Sequence, residues 1–314
     1  MLSSKTKGYM LGFIAAATYG MNPLFALPLY ADGMNAESVL FFRYLFAIVI
    51  LGFMTKMRGH SFKLARHEVL PLIIMGLLVA ISSLTLFKSY LFMAAGIAST
   101  ILFVYPIMVA VIMALFFKER LTLLTVVCIV FALCGIGLLY KNEDGDTLSA
   151  MGVMLVMASA LSYAIYIVGA NRPTLKNIPT VKLTFYVLVF GLSLFVGTTK
   201  GCTDVVVPQH WYFWLNLVAL ALFPTAISFL CTTEAVHYIG ATATAILGAM
   251  EPVVAVVIGV LVFGEPMTER IALGILLILI AVTLVIAGGG FTAYLVRFRK
   301  LFPKMIPHRK KKED

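Results

Sequence analysis

The chain is 314 residues long, 61% apolar and 12% charged, a balance outside the range of soluble globular domains. That excludes a soluble enzyme fold and points to a chain that crosses a membrane repeatedly. The formal net charge of +10 invites a nucleic-acid partner, but the basic residues sit in short segments between apolar runs and argue against one.

A helix needs about 20 mostly apolar residues to cross ~30 Å of hydrocarbon. Ten such stretches follow one another, near 8–29, 36–55, 69–93, 97–117, 122–140, 149–170, 181–199, 212–236, 240–263 and 270–288. The first follows a short basic leader, is long and lacks a small-residue cleavage site, so it reads as a helix and not a removed signal. It holds Tyr19, Asn22, Pro23 and Pro28. A mid-span proline frees a carbonyl and bends the helix, which a membrane tolerates only where protein or a cavity re-satisfies the backbone. Asn22-Pro23 is therefore predicted to face inward.

The second stretch carries Arg43 in the run FFRYLFA, and the third is polar in its outer half, with Ser82, Ser83, Thr85, Lys88, Ser89 and Tyr90. The fourth has Tyr105-Pro106 near its middle; the fifth has Gly135 and Gly137, which allow close packing. KNEDGDTLS at 141–149 is polar, acidic and turn-rich, and separates five stretches from five. Five is odd, so the second set enters the membrane in the opposite sense to the first.

The second half repeats the first. PIMVAVIMALFFKERLT from Pro106 aligns without a gap on PVVAVVIGVLVFGEPMT from Pro252, with Phe117/Phe263, Glu119/Glu265 and Thr122/Thr268 in register. GYMLGFIAAATY ending at Tyr19 likewise aligns on GVMLVMASALSY ending at Tyr163. The sixth stretch continues with Tyr166 and the seventh is plain. Trp211 to Trp214 open the eighth at interface depth, and the eighth then carries Pro224, Thr225, Ser228, Thr232, Thr233 and Glu234. The ninth holds Glu251-Pro252, the tenth is plain, and the basic tail at 289–314 suits anionic headgroups. The predicted fold class is thus all-α and integral to the membrane, ten helices in two inverted five-helix repeats, 8–140 and 149–288.

Most of the 24 Lys and Arg lie on one side of this plan, at Lys5, Lys7, Lys56, Arg58, Lys63, Arg66, Lys118, Arg120, Arg172, Lys176, Lys182 and the tail. Lys141, Lys200 and Arg270 fall on the other. This asymmetry predicts both termini in the cytoplasm. Cys128, Cys134 and Cys231 lie in spans and Cys202 in an outer loop, so no disulfide is predicted. His60, His67, His210, His237 and His308 are scattered, which gives no metal site. No glycine loop of the Walker type is present, which excludes ATP-driven pumping.

Together the two repeats, Phe41-Phe42-Arg43, Pro106, Glu251-Pro252 and the turns at 118–122 and 264–268 resemble the drug/metabolite transporter superfamily, specifically its ten-helix EamA-type members, over about 8–288. The resemblance implies a secondary transporter without a cofactor, not an enzyme. It also implies export of small amphipathic metabolites, amino-acid-like compounds or drugs, across the cytoplasmic (inner) membrane by alternating access, with protons as a candidate coupling ion. A channel or a gradient-independent facilitator is the alternative. A membrane-embedded enzyme would need paired acids or His/Asp groups at one interface, against which the scattered histidines speak. Lys88 within a span departs from the family pattern.

A charge at mid-membrane costs roughly 2.5–3.5 kcal/mol on insertion scales and normally faces a cavity or a partner. Glu251 reads either as a cavity carboxylate that binds an amino group or takes up a proton, or as an acid bonding backbone freed at the Pro252 bend. Arg43, with five donors, either pairs Glu251, binds a substrate carboxylate or anchors helix carbonyls. Lys88 shares a face with Thr85 and either lines a cavity or snorkels to the interface. Tyr19, Asn22, Tyr105, Tyr163 and Tyr166 are candidate walls, and Pro23, Pro106 and Pro252 candidate hinges. Lys88 and Glu234 occupy equivalent repeat positions, but inversion places them on opposite sides of the midplane. The cavity is expected between helices 1, 3, 4, 6, 8 and 9.

Overall fold

The computed structural model describes residues 4–59, 61–117, 123–140, 149–170, 173–176, 178–239, 244 and 247–284. The turn at 118–122, the boundary at 141–148, His60, Arg172 and the basic tail at 289–314 with His308 lie outside the described residues. The described residues form helices joined by turns and short irregular segments: α1 Ser4–Gly20, α2 Asn22–Ala31, α3 Ala36–Met57, α4 Arg66–Ser89, α5 Ala95–Leu102, α6 Tyr105–Phe117, α7 Leu123–Tyr140, α8 Ala150–Ala170, α9 Pro173–Lys176, α10 Thr180–Thr198, α11 Phe213–Ala221, a π-helical turn Leu222–Ile227 and α12 Ser228–Ile239. Met250–Phe263 forms α13, and 269–284 a last helix, α14.

Among the described residues, seven helical stretches are long and apolar enough to cross a membrane: 4–31, 36–57, 66–89, 95–117, 150–170, 180–198 and 213–239. Shorter apolar helices include 126–139 within α7, and α13. With no water in hydrocarbon, such segments must satisfy their backbone internally, which is why every described crossing is helical.

Three predicted single helices are in fact broken, and the prolines show why. The first stretch breaks at Met21, so that Pro23 falls in the first turn of α2. The fourth breaks at Phe103 and Val104, leaving Tyr105-Pro106 at the start of α6. Pro252 is the third residue of α13, after a turn at Gly248 and Ala249. A proline has no N–H to donate and clashes with the carbonyl four residues back, so it is accepted in a first turn and resisted in a helix interior. The expected bends are therefore helix starts. The third stretch also ends earlier than predicted, at Ser89, because Tyr90 to Met93 form turns whose amides return to Lys88 and Ser89 carbonyls.

Packing interleaves the two halves of the chain. α4 lies along α8 and α10, α1 along α12, α10 along α3, and α13 along α5. Between two apolar helices in lipid, close backbone approach supplies the attraction that water supplies elsewhere. At the α4–α10 crossing a Cβ on Gly76 would sit 2.8 Å from the Val187 carbonyl oxygen and 2.9 Å from the Gly191 nitrogen, so glycine is required on both helices. Leu29, Leu40, Leu51, Phe87, Ile101, Phe195 and Leu220 are fully buried around these contacts.

Candidate substrate cavity

The broken helices surround a cavity of about 440 Å³. Its wall is drawn from α1 and α2, α3, α4, α5 and α6, α8, α10, α12 with its π-helical turn, and α13. Each helix break contributes: Tyr19, Gly20 and Asn22 at the first, Phe103 and Tyr105 at the second, Gly248, Glu251 and Pro252 at the third. Irregular backbone at membrane depth is tolerated where it lines a polar cavity, and here the two coincide.

Asn22 shows how such a break is satisfied. Its Nδ2 donates to the Tyr19 carbonyl at 2.8 Å, while its buried Oδ1 has no partner. Thr184 on α10 has a buried hydroxyl in the same condition, and both residues line the cavity. A buried polar atom left unmet costs about 1–3 kcal/mol.

Arg43 is buried, and its Nε donates to Thr225 Oγ1 at 3.1 Å. Thr225 sits in the π-helical turn, where its hydroxyl also donates to the carbonyl of Leu220, five residues back, at 3.2 Å. Such single wide turns recur at functional sites because they re-aim side chains within a helix. The guanidinium carbon lies 5.4 Å from the Phe87 ring centroid, a cation–π arrangement. Tyr44 is held beside it by a 2.9 Å bond with Ser83.

Glu251 lies on the cavity wall with its carboxylate engaged in no hydrogen bond or ion pair among the described residues. The charges of Arg43 and Glu251 both act on Tyr19, and Glu251 also acts on Tyr105 and Tyr163. Tyr105 meets Tyr163 edge to face at 4.8 Å, and Tyr163 lies 5.7 Å from Tyr166. The result is an aromatic wall beside one carboxylate, with one guanidinium farther along the same space.

Of the residues singled out in the sequence, Tyr19, Asn22, Arg43, Tyr105, Tyr163, Tyr166, Glu251 and Pro252 are brought together on this wall. Pro23 and Pro106 stand one position behind it. Lys88 is placed elsewhere: its ammonium pairs with Glu37 at 2.7 Å with 40% of the side chain exposed, at the last turn of α4. Glu234 pairs at long range, 3.9 Å, with Arg58, so neither Lys88 nor Glu234 meets the other. Arg43 likewise meets a threonine and not Glu251. The wall also takes in two helices that the sequence left out, α3 through Tyr44 and α10 through Thr184, together with Tyr90 and Ser99.

The cavity is closer to one end of the bundle. It reaches Val236, two residues past Glu234, and Thr244. At the other end it stops at Asn22, Tyr90 and Ser99; ten helical residues, or about 15 Å at 1.5 Å each, separate Asn22 from Asp32.

These features define a multi-pass helical membrane protein built around a cavity whose mostly apolar wall carries a few polar groups. The EamA-like transporter family model matches residues 6–141 and again 150–287. The chain belongs to that family, a membrane transporter of the drug/metabolite superfamily. It is 24% identical to the uncharacterized transporter YvbV of Bacillus subtilis (strain 168) over 62% of this chain, spanning 64% of that relative. It is 25% identical to the uncharacterized transporter YdfC of the same organism, over 77% of this chain and 79% of that one. Against an uncharacterized transporter of Clostridium kluyveri identity is 20%, over 87% and 91%. A crystal structure at 17% identity shares the fold, with a TM-score of 0.65 over 93% of this chain and 99% of the other.

Proposed function

We propose that this transporter exports small amphipathic metabolites, amino-acid-like compounds or drugs, across the cytoplasmic membrane by alternating access. In this reading the chain has ten spans in two inverted repeats, 8–140 and 149–288, with both termini and the basic tail cytoplasmic. The observation that carries it is the cavity at the helix breaks, where a carboxylate and a guanidinium have no ion partner among the described residues. In a low-dielectric site a lone charge is costly, and a guest of complementary charge offsets that cost. Glu251 would receive an amino group or a proton, Arg43 an anionic group, and Tyr105, Tyr163 and Tyr166 an apolar body.

The basic end, with Lys7, Arg58 and His237, is the cytoplasmic end in this reading, and the cavity reaches toward it. Opening to the other side would then require the two halves to rock about the cavity. The test is efflux of amino acids and cationic drugs from loaded proteoliposomes. Saturable flux that one compound suppresses for another supports the reading; flux that rises linearly with concentration and shows no competition contradicts it.

A further inference from the structure

α13 ends at Phe263, and Gly264 takes φ +65°. The next amide, of Glu265, donates to the Gly259 carbonyl at 2.9 Å, six residues back. The Gly264 N–H returns to the same Gly259 carbonyl, and this left-handed helix end reverses the chain and brings the half-buried Glu265 against α5. The carboxylate crosses to α5, where Oε1 accepts from the Ala95 N–H at 2.7 Å and Oε2 from the Gly96 N–H at 3.2 Å. The first amides of a helix lack intrahelical acceptors and lie at its positive end, so a carboxylate satisfies both needs. Two glycines make the room. A Cβ on Gly259 would fall on the carboxylate, 2.6 Å from Glu265 Cδ, and a Cβ on Gly96 would lie 3.1 Å from Oε2.

A second carboxylate makes the converse contact. Asp32, on the first half, accepts from the Gln209 N–H of the second half at 2.7 Å and lies 2.6 Å from His210 Nδ1. Beside it the Val206 amide donates to Ser38 Oγ at 2.9 Å. Each half thus supplies one acid that holds backbone of the other half, both at the end where the cavity stops. The position of Glu265 is the more telling. Ser99 marks the limit of the cavity and lies one helical turn along α5 from Ala95, and Glu265 follows α13, whose first turn carries Glu251.

We propose that Glu265 bolts the closed end of the transporter, and that its carboxylate must leave the Ala95 and Gly96 amides before the cavity opens to that side. The inference rests on the alternating-access reading. Glu265 touches no substrate; it is a positioning residue that sets how the chain divides its time between the two open states. Removing its two charge-assisted bonds favours the state open at the Glu265 end and depletes the state open at the Arg58 end.

The test uses the full chain with Cys202→Ser in proteoliposomes, with a membrane-impermeant cationic thiol reagent added to one face at a time. One reporter is Ser99→Cys, at the closed limit of the cavity. The other is Val236→Cys, at the opposite limit. Glu265→Ala is expected to raise Ser99→Cys labelling from the Glu265 face roughly tenfold and to lower Val236→Cys labelling from the Arg58 face. Gly259→Ala, which displaces the carboxylate while leaving it in the chain, is expected to shift both rates the same way. Unchanged Ser99→Cys labelling in both variants, with Val236→Cys labelling at the parent rate as proof of an intact fold, overturns the proposal. Fast labelling of Ser99→Cys from both faces in the parent overturns the alternating-access reading itself, and the bolt with it.

Discussion

Arg43 and Glu251 share one cavity without pairing. Arg43 turns its Nε to Thr225, Glu251 meets no cation among the described residues, and Tyr19 lies in the field of both. Had the two met, each would have neutralised the other and the cavity would be a closed polar core. Held apart, they leave an acid and a guanidinium facing one space.

Arg43→Lys keeps the charge but loses the Nε bond to Thr225 and the planar fork. Efflux is expected to fall roughly tenfold or more, since a charge-assisted, bidentate contact is worth about 1.5–3 kcal/mol. The unfolding midpoint in detergent is expected to stay near that of the parent. Full efflux in Arg43→Lys would make the guanidinium an anchor for helices alone.

Lys88 lies outside the cavity, in a half-exposed pair with Glu37. Such pairs contribute about 0–1 kcal/mol. Lys88→Ala is therefore expected to change transport less than twofold and stability slightly, as read by efflux and by thermal unfolding. A large loss of flux at normal protein level would assign Lys88 to the transport path.

The Gly76 and Gly191 backbones touch, so a methyl on either forces α4 and α10 apart. Gly76→Ala is expected to destabilise by about 1–3 kcal/mol, as overpacking does. Gly197, further along α10, has open space around it, and Gly197→Ala is expected to be neutral or slightly stabilising. Thermal unfolding of the two variants side by side checks the contrast.

The two carboxylates of the closed end depend on pH in opposite senses. Burial works to raise the Asp32 carboxyl, but the His210 hydrogen bond, the Gln209 and His210 amides and the His210 charge hold it below the usual carboxylate range. A depressed folded value means that its proton-linked contribution is present above the free carboxyl pKa, about 3.9, and is lost as pH falls through the folded value. Glu265 is raised instead, because burial outweighs the bonds from Ala95 and Gly96. Its proton-linked contribution is present in acid and is lost as pH rises through its folded value. The unfolding-midpoint difference between parent and Asp32→Asn is expected to widen from strong acid toward neutral pH, and that between parent and Glu265→Ala to narrow over the acid range. Parallel curves for the two would remove the assignment.

Much of this arrangement is legible in the sequence, for physical reasons that also mark where reading stops. Arg43 and Glu251 stand out because a charge inside an apolar run is costly unless something repays it. The prolines flag the breaks at Met21, Phe103 and Gly248, but a proline alone does not say whether a helix bends or restarts. That depends on what satisfies the freed backbone, as Asn22 does for Tyr19. Tyr44 and Thr184 went unread because isolated hydroxyls in apolar helices usually bond within the helix, and only tertiary packing shows which face a cavity. The π-helical turn at Leu222–Ile227 shifts the register by a single residue, which side-chain composition alone does not show. The sequence leaves Lys88 between a cavity and the interface because Tyr90 to Met93 read as more helix, whereas the turns there bring it to the helix end beside Glu37.

The central claim is that the cavity around Glu251 carries the transport step. The most direct measurement is substrate efflux from proteoliposomes under an imposed pH gradient, parent beside Glu251→Gln, which keeps the shape and removes both the charge and the proton. The variant is expected to lose pH-driven flux while remaining folded; undiminished pH-driven flux in Glu251→Gln would contradict the claim.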